Sequence, residues 1–547
     1  MTRRPAANLL IHLDHRDRGR GTLQEQIYAG IRRAILSGVM RPGTRLASSR
    51  ALARDLGVSR TTTQLALEQL EAEGYLTAQR GSGTFVAEAL PDDLPQIAAH
   101  GPPAALEHPP LSRRGALLAA CKAPARRIAG PPRPFRLGVP ALEHFPVRVW
   151  SRLASRRIMS ITSTQLDYGK PAGLPALREA IAEHARAARG ARCDADQIII
   201  VGSAQRGLDV LCQMLLDPGD QAIVEDPGYP GAWTAILAAG GAIAPVPVDR
   251  DGLDLEAAAP CGRVRLAYVT PSHQFPLGVP MSLPRRLSLL RWASAAGAWV
   301  VEDDYDAEFR HGAQPVPCLQ GLDPDGRVIY VGSFSKSIFP ALRLGYLIAP
   351  VELVGPLLAA RRAGADPQPP FLEQAVLADF IGGGHFARHL RRMRAIYRER
   401  LDALTAAAER YCGGVLDVRP VRTGLHAVAD VRGADPARVF DEALARGVEC
   451  MPLADYVRGS GRADSALVLG FGAVGPAALT SGMRSLAAAI ESAQRPGGWR
   501  APHLEAHMDS NLEPRLDPHR DPRLEPHIDP HRDPHVEPAR ARSASRP

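Results

Sequence analysis

The chain has 547 residues, 45% of them hydrophobic, which suits two folded domains plus flexible segments. Its 66 basic side chains against 58 acids leave a net charge of +8, which permits a nucleic-acid partner without demonstrating one. No apolar run approaches the ~20 residues that cross a bilayer, which opposes a membrane-spanning protein.

The seven cysteines are scattered and show no CxxC pair, so neither a disulfide framework nor a metal site is expected. Residues 1–17 are polar and lack the apolar core of a signal peptide, and a reduced, cytoplasmic protein follows as the expectation. Residues 1–19 read as an N-terminal arm. Residues 1–88 carry thirteen arginines against eight acids, so much of the basic excess lies in the first sixth of the chain.

From Thr22, Leu23, Ile27, Ile31 and Ile35 recur every four positions and predict one buried helical stripe. Gly38 and Arg41-Pro42-Gly43 stop that helix. Ser48 is placed to cap a second helix ending at Gly57, and Ser59 to cap a third that runs to Glu73 with Leu65 and Leu70 inward. A tight helix–glycine–helix junction is the helix-turn-helix arrangement, whose second helix enters the major groove. Strand-like residues 75–78 and 84–86 follow, and Gly81-Ser82 between them suits a hairpin turn. Residues 20–89 thus read as a winged helix-turn-helix, mainly α. Arg50, Ser59, Arg60, Thr61, Thr62 and, near the wing tip, Arg80 are the candidates to contact double-stranded DNA.

This stretch resembles the DNA-binding domain of the GntR superfamily through Leu46-Ala47-Ser48-Ser49-Arg50 and Val58-Ser59-Arg60-Thr61-Thr62. It departs from that pattern at Ala47, where proline is usual. The resemblance implies that Arg50, Arg60 and the wing touch DNA.

Residues 90–134 are rich in Pro, Ala and Gly and read as a tether, with one short helical stretch at 111–120. After it, apolar runs at 198–201, 222–224, 266–269, 299–301, 328–331 and 345–348 alternate with helical segments, predicting a mostly parallel sheet covered on both faces. Ligands in such sheets bind beyond the carboxyl ends of the strands. From about residue 494 a Pro- and His-containing repeat begins, too polar and too proline-dense to fold, and 494–547 read as a disordered tail.

The polar groups lie at the strand ends. Gly202-Ser203-Ala204-Gln205 opens a helix and suits a phosphate. Asp226-Pro227-Gly228-Tyr229-Pro230 offers Tyr229 as a ring to stack on a cofactor, and Thr270-Pro271-Ser272-His273 places His273 near that ring's oxygen side. Glu302-Asp303-Asp304-Tyr305-Asp306 could aim Asp303 at a pyridine nitrogen and Tyr305 at a phenolate oxygen; a solvated acidic cluster or a magnesium site competes with that reading. Ser333-Phe334-Ser335-Lys336, with Arg343 seven residues on, suits a phosphate and an aldehyde. Lys336 is one of three lysines in the whole chain, and lysine, unlike arginine, can lose its proton and attack a carbonyl.

In this order and spacing the segments over residues 135–493 resemble a fold-type I, pyridoxal 5'-phosphate-dependent aminotransferase, an α/β domain; Tyr168-Gly169-Lys170-Pro171-Ala172-Gly173 belongs to the same pattern. The resemblance implies an aldimine at Lys336, a pyridinium partner at Asp303, and phosphate contacts from Ser203, Ala204, Gln205, Ser333, Ser335 and Arg343. Tyr229, His273 and Tyr305 complete the ring's surroundings. Ser272-His273-Gln274-Phe275-Pro276-Leu277-Gly278 departs from the Asn-Pro-x-Gly common in aminotransferases.

The multi-domain order, winged helix first, resembles the MocR subfamily of GntR regulators. It implies a homodimeric transcriptional regulator that senses an amine or amino-acid effector, or pyridoxal phosphate itself. The alternative is a working aminotransferase carrying a DNA-binding head. A carboxylate-bearing effector would want an arginine, for which Arg422 and Arg462 are the candidates.

Overall fold

The computed structural model describes residues 21–79, 82–91, 111–120, 130–257, 263–312, 316–364, 368–459 and 465–495. The expected arm, most of the tether and the tail from residue 496 lie outside the described residues. The chain divides into two units, Met1–Pro110 and Leu111–Pro547.

In the first unit, α1 (Leu23–Leu36) begins with a reciprocal cap: Thr22 Oγ1 accepts from Glu25 N while Glu25 Oε2 accepts from Thr22 N. Ile27, Ile31 and Ile35 are buried, and Leu23 is half-buried at the end of their stripe. Helix α2 (Ser49–Leu56) is capped by Ser48, whose Oγ accepts from Ala51 N, and closes on Gly57 in the left-handed conformation. Ser59 caps α3 (Arg60–Ala72) by accepting from Thr62 N at 3.0 Å.

The buried face of α3 is Thr63, Ala66, Leu67 and Leu70. Leu65, expected inward, is 44% exposed. At about 100° per residue it lies roughly opposite Leu67, so one helix cannot bury both against the same neighbours. The wing is an antiparallel pair, β1 (Leu76–Gln79) and β2 (Gly83–Val86), whose ladder extends to Gln79 opposite Gly83. Positive φ falls at Gly83 among the described wing residues; Gly81 and Arg80 lie outside them.

The second unit contains α4 (Arg113–Ala120), α5 (Val147–Met159) and α6 (Pro175–Arg189), then β3 (Ile198–Val201), α7 (Ala204–Leu215), β4 (Gln221–Asp226), α8 (Pro230–Ala239), β5 (Ala242–Asp249) and β6 (Gly252–Leu253). It continues through β7 (Val264–Val269), α9 (Leu283–Ala296), β8 (Trp299–Asp304), α10 (Leu319–Leu322), β9 (Val328–Ser333) and β10 (Gly345–Ile348). These strands form one sheet in the order β3-β10-β9-β8-β7-β4-β5-β6. The run from β9 to β5 is parallel, while β10 pairs antiparallel with both neighbours.

Alternation sorts the side chains between the two faces. Leu266, Tyr268 and Val301 pack with α7 and α8, whereas Ala267, Val269 and Val300 pack with α9. The remaining elements are α11 (Val351–Arg362), α12 (Phe371–Gly382), α13 (His385–Cys412), β11 (Leu416–Val418), β12 (His426–Val431), α14 (Pro436–Ala445), β13 (Met451–Pro452), β14 (Ala466–Gly470) and α15 (Pro476–Gln494). Here the strands make a second, antiparallel sheet, ordered β11-β12-β14-β13. Among the described residues no helix is long and apolar enough to cross a membrane.

Candidate functional site

The four acids at the end of β8 do not form a solvated cluster. All are buried, and each has its own partner. Glu302 accepts from the backbone N–H groups of Leu319 and Gln320 on one face of the sheet. Asp304, two residues on and therefore on the same face, pairs with Arg189 and accepts from the Tyr330 hydroxyl at 2.7 Å. Asp306 bonds to His273 Nδ1 at 2.8 Å and accepts from Leu425 N. Asp303 alone points to the other face, where its Oδ2 accepts from the Tyr268 hydroxyl at 2.7 Å.

The second oxygen of Asp303, Oδ1, is buried without a hydrogen-bond partner among the described residues. Burial pushes the Asp303 carboxyl up to about 7, with Tyr268 opposing the shift and Asp304 and Asp306 adding to it, while the Lys336 charge is near enough to lower it. An unpaired buried carboxylate oxygen is costly unless a donor or a cation reaches it.

The sign of the resulting pH dependence is fixed. A raised carboxyl pKa contributes stability that is complete below the ordinary value near 3.8 and is lost as pH rises through about 7. Glu225 and Glu302, also lifted to about 7 by burial, act in the same sense. Denaturant unfolding of the cofactor-free protein should therefore show stability falling as the pH is raised from the acid range to about 7. Asp303→Asn should flatten that fall, by at most roughly 1.4 kcal/mol for each pH step of one in that range. Identical slopes for the two proteins would refute the assignment.

The other predicted residues lie at or near the ends of the strands. Tyr229 stacks on Tyr268 with ring centroids 6.3 Å apart and donates to Gln205 Oε1 at 3.1 Å. Ser203 caps α7, and Ala204 and Gln205 form its first turn, so the positive end of a 12-residue helix faces the strand ends. The start of β10 lies so close to it that a Cβ on Gly345 would stand 3.0 Å from Ala204 N. Ser335 N donates to Ser333 Oγ at 3.1 Å. Arg343 is exposed and holds left-handed backbone, φ 52°, a conformation that costs a non-glycine residue about 1 kcal/mol or more and tends to collect at functional sites.

Lys336 Nζ donates to Gly138 O at 2.5 Å, and a Cβ on Gly138 would fall 2.7 Å from that nitrogen. Tyr305, just beyond the end of β8, brings its hydroxyl to 2.9 Å from His273 Nδ1. With the Nδ1 proton directed to Asp306, that nitrogen has no lone pair for the Tyr305 hydroxyl, whose proton is left for another acceptor. His273 Nε2 is buried without a partner among the described residues. His273, Asp306 and His426 also bring three potential ligand atoms within 4.8 Å of one another. Their geometry is accounted for by hydrogen bonds, since His426 Nε2 donates to Pro276 O and burial holds its pKa at about 3.

In the first unit, Arg50, Ser59, Arg60 and Thr61 are exposed, and Thr62 is half-buried. The Ser59 and Thr62 hydroxyls bond to each other at 2.7 Å. Arg60 stands at the positive end of α3, whereas Glu68 and Glu71 lie towards its other end, so positive charge gathers at the start of the helix.

Residues 23–86 match the model of bacterial regulatory proteins of the gntR family, and residues 135–464 that of aminotransferase class I and II. The chain is 39% identical to the probable rhizopine catabolism regulatory protein MocR of Rhizobium meliloti, over 87% of this chain and 95% of that one. The chain belongs to the MocR-type regulators of the GntR family. It is also 33% identical to the pyridoxine biosynthesis transcriptional regulator PdxR of Corynebacterium glutamicum, over 82% of this chain and 92% of that one. Among solved structures it is similar to the α-aminoadipate aminotransferase LysN of Thermus thermophilus, crystallised with N-(5'-phosphopyridoxyl)-L-leucine. The TM-score is 0.60 at 30% identity, covering 65% of this chain and 92% of that one. The MocR-type chain thus joins a helix-turn-helix domain to an aminotransferase-like one.

Three residues of this MocR-type site are not apparent from the sequence. Tyr268 sits inside an apolar strand and signals its role only through the period-two register with Asp303. Gly138 lies 198 residues from its partner Lys336, and Arg189 lies 115 from Asp304. Arg422 is exposed and lines a cavity with Arg189, Ser272 and Arg310 that includes none of the cofactor candidates. Arg462 lies outside the described residues.

Proposed function

We propose that this regulator binds double-stranded DNA through α3, the start of α2 and the wing, and senses an amine or amino acid through pyridoxal 5'-phosphate held at Lys336. The observation that carries the cofactor reading is Asp303: a buried carboxylate with one oxygen lacking a partner, within electrostatic reach of a lysine amine. A protonated pyridine nitrogen supplies both the donor and the positive charge that this oxygen lacks. The remaining parts of the molecule find matching groups. The phosphate is met by the α7 N-terminus with Ser203, Ala204 and Gln205, and by Ser333, Ser335 and Arg343. Tyr229 offers its face to the ring, Tyr305 offers its hydroxyl proton to the ring oxygen, and His273 lies beside Tyr305 on that side.

When bound, the cofactor supplies an aldehyde that condenses reversibly with primary amines. Lys336 is the chain's own amine for that aldehyde, and an effector amine competes with it. The effector moves the regulator only as far as its affinities for two arrangements of the protein differ. A homodimer is part of this proposal, since two helix-turn-helix heads would address two half-sites. Supporting it, Ile158, Met159, Leu166 and Tyr168 are respectively 53, 87, 72 and 100% exposed within eleven residues, an apolar surface of the kind that a partner covers. A DNA target agrees with a cytoplasmic setting.

The complete set Lys336, Asp303 and Tyr305 also favours a second reading, an active aminotransferase with a DNA-binding head. One experiment separates them. Full-length protein is titrated with a panel of amines while cofactor absorbance, affinity for its promoter DNA and keto-acid formation are followed together. A spectral shift accompanied by a change in DNA affinity of about 5- to 150-fold without turnover fits the sensor. Steady turnover without any change in DNA binding fits the enzyme.

A further inference from the structure

A cavity of about 590 Å³ in the second unit is lined by Arg189, Ser272, Arg286, Arg310, His311 and Arg422, among others. Four guanidinium groups on one cavity repel one another unless counter-charges or oxygen atoms offset them. The protein itself satisfies two. Arg189 pairs with Asp304 and donates to Ser272 Oγ at 2.7 Å. Arg286 is buried and donates to the carbonyl oxygens of Met281, Pro317 and Pro271.

Arg310 and Arg422 differ. Neither guanidinium has an ion-pair or hydrogen-bond partner among the described residues. Burial, and then the charges of Arg189 and Arg394, lower the Arg310 pKa against the opposing pull of Asp304 and Glu308. Their backbones are held in register: Arg310 bridges Thr423, His311 N donates to Arg422 O at 2.8 Å, and Gly424 N donates to Phe309 O at 2.7 Å. The two cations therefore need no rearrangement of the main chain to meet a ligand.

His311 adds an acceptor to this wall. Its Nε2 lies 2.9 Å from Gly424 O, which assigns the ring proton to that nitrogen. The buried Nδ1 then carries a lone pair without a partner among the described residues. Two cations and one acceptor match a ligand with anionic oxygens and a donor of its own.

We propose that this cavity is a second ligand site, for a small oxyanion bearing at least two anionic oxygens and a hydroxyl or protonated oxygen. Phosphate monoesters and hydroxycarboxylates share that chemistry. The site is separate from the cofactor residues but adjoins them, because Arg189 holds Asp304 next to Asp303 and Ser272 precedes His273.

Calorimetric titration of the full chain with inorganic phosphate and with citrate, at constant ionic strength and with or without pyridoxal phosphate, tests the proposal. The expected result is that at least one probe binds under both conditions; binding of phosphate alone or of citrate alone tells the two ligand classes apart. Arg310→Gln and Arg422→Gln should each weaken binding about tenfold or more, near 1.4 kcal/mol. Arg310→Gln should leave the cofactor absorbance of the loaded protein unchanged. Should Arg310→Gln fail to fold, Arg422→Gln, at an exposed side chain, still decides the matter.

Binding of neither probe overturns the proposal, as does wild-type affinity in the folded variants. So does loss of binding once pyridoxal phosphate is present, which would place the anion in the cofactor's phosphate cradle. The titration without cofactor does not rely on the sensor role, so each reading can fail without the other.

Discussion

Lys336→Ala should abolish the imine absorbance band of the cofactor-loaded protein in amine-free buffer and weaken cofactor retention roughly 100-fold, about 2.7 kcal/mol. In the proposed site this amine condenses with the aldehyde, and the residues proposed for the phosphate and the ring are left unchanged. Among the groups that the deletion frees is the Gly138 carbonyl oxygen, half-buried and within reach of water, so the fold should survive the change. Lys336→Arg is the sharper control. Arginine keeps the positive charge beside Asp303 but cannot deprotonate to attack a carbonyl, and its larger head must fit where Nζ lies 2.5 Å from Gly138 O. An imine band retained by either variant in amine-free buffer would remove Lys336 from the cofactor's chemistry.

Arg60→Ala should weaken binding of promoter DNA by about 1–3 kcal/mol if Arg60 reads a base edge, with relaxed specificity at one position. If it contacts phosphate only, the loss should be uniform across sequences and the salt dependence shallower by about one in slope. Arg60 is exposed, follows the Ser59 cap and is replaced by the best helix former, so the fold provides no other route to such a loss. Ser59→Ala is a useful contrast, because removing the cap should cost about 1 kcal/mol of stability as well. Unchanged DNA affinity and salt slope in Arg60→Ala would take α3 out of the interface.

The first unit is legible in the sequence almost residue by residue. Its signals are local: a serine hydroxyl two or three residues from the N–H it caps, a glycine where the chain turns left-handed, isoleucines one helical turn apart. Leu65 is the exception, because its apolar character suggests burial while its angle relative to Leu67 forbids it. In the second unit, β3 and β10 are legible at their full length, and β4, β7, β8 and β9 as their apolar portions.

β5 is hidden because Pro245 and Pro247 argue against a strand, yet it lies beside the edge strand β6, where lost ladder donors matter less. Most of the second sheet is hidden as well. β11 and β13 have three and two residues, too few to show a period, and β12 is buried along nearly its whole length, so it shows no alternation.

Lys336 and the acids of β8 divide along the same line. By itself the sequence determined that an isolated lysine follows a strand in a chain that otherwise uses arginine. It also determined that four acids crowd the end of another strand and that a winged helix precedes both. Such facts depend on neighbours within a few residues, where backbone geometry fixes the outcome. Which acid keeps an oxygen without a partner was decided only by tertiary structure. Arg189 takes Asp304, Leu319 and Gln320 take Glu302, His273 takes Asp306, and Tyr268 takes only half of Asp303. Those partners come from distant segments, and a carboxylate's protonation and availability follow from what surrounds it in space rather than from its place in the chain.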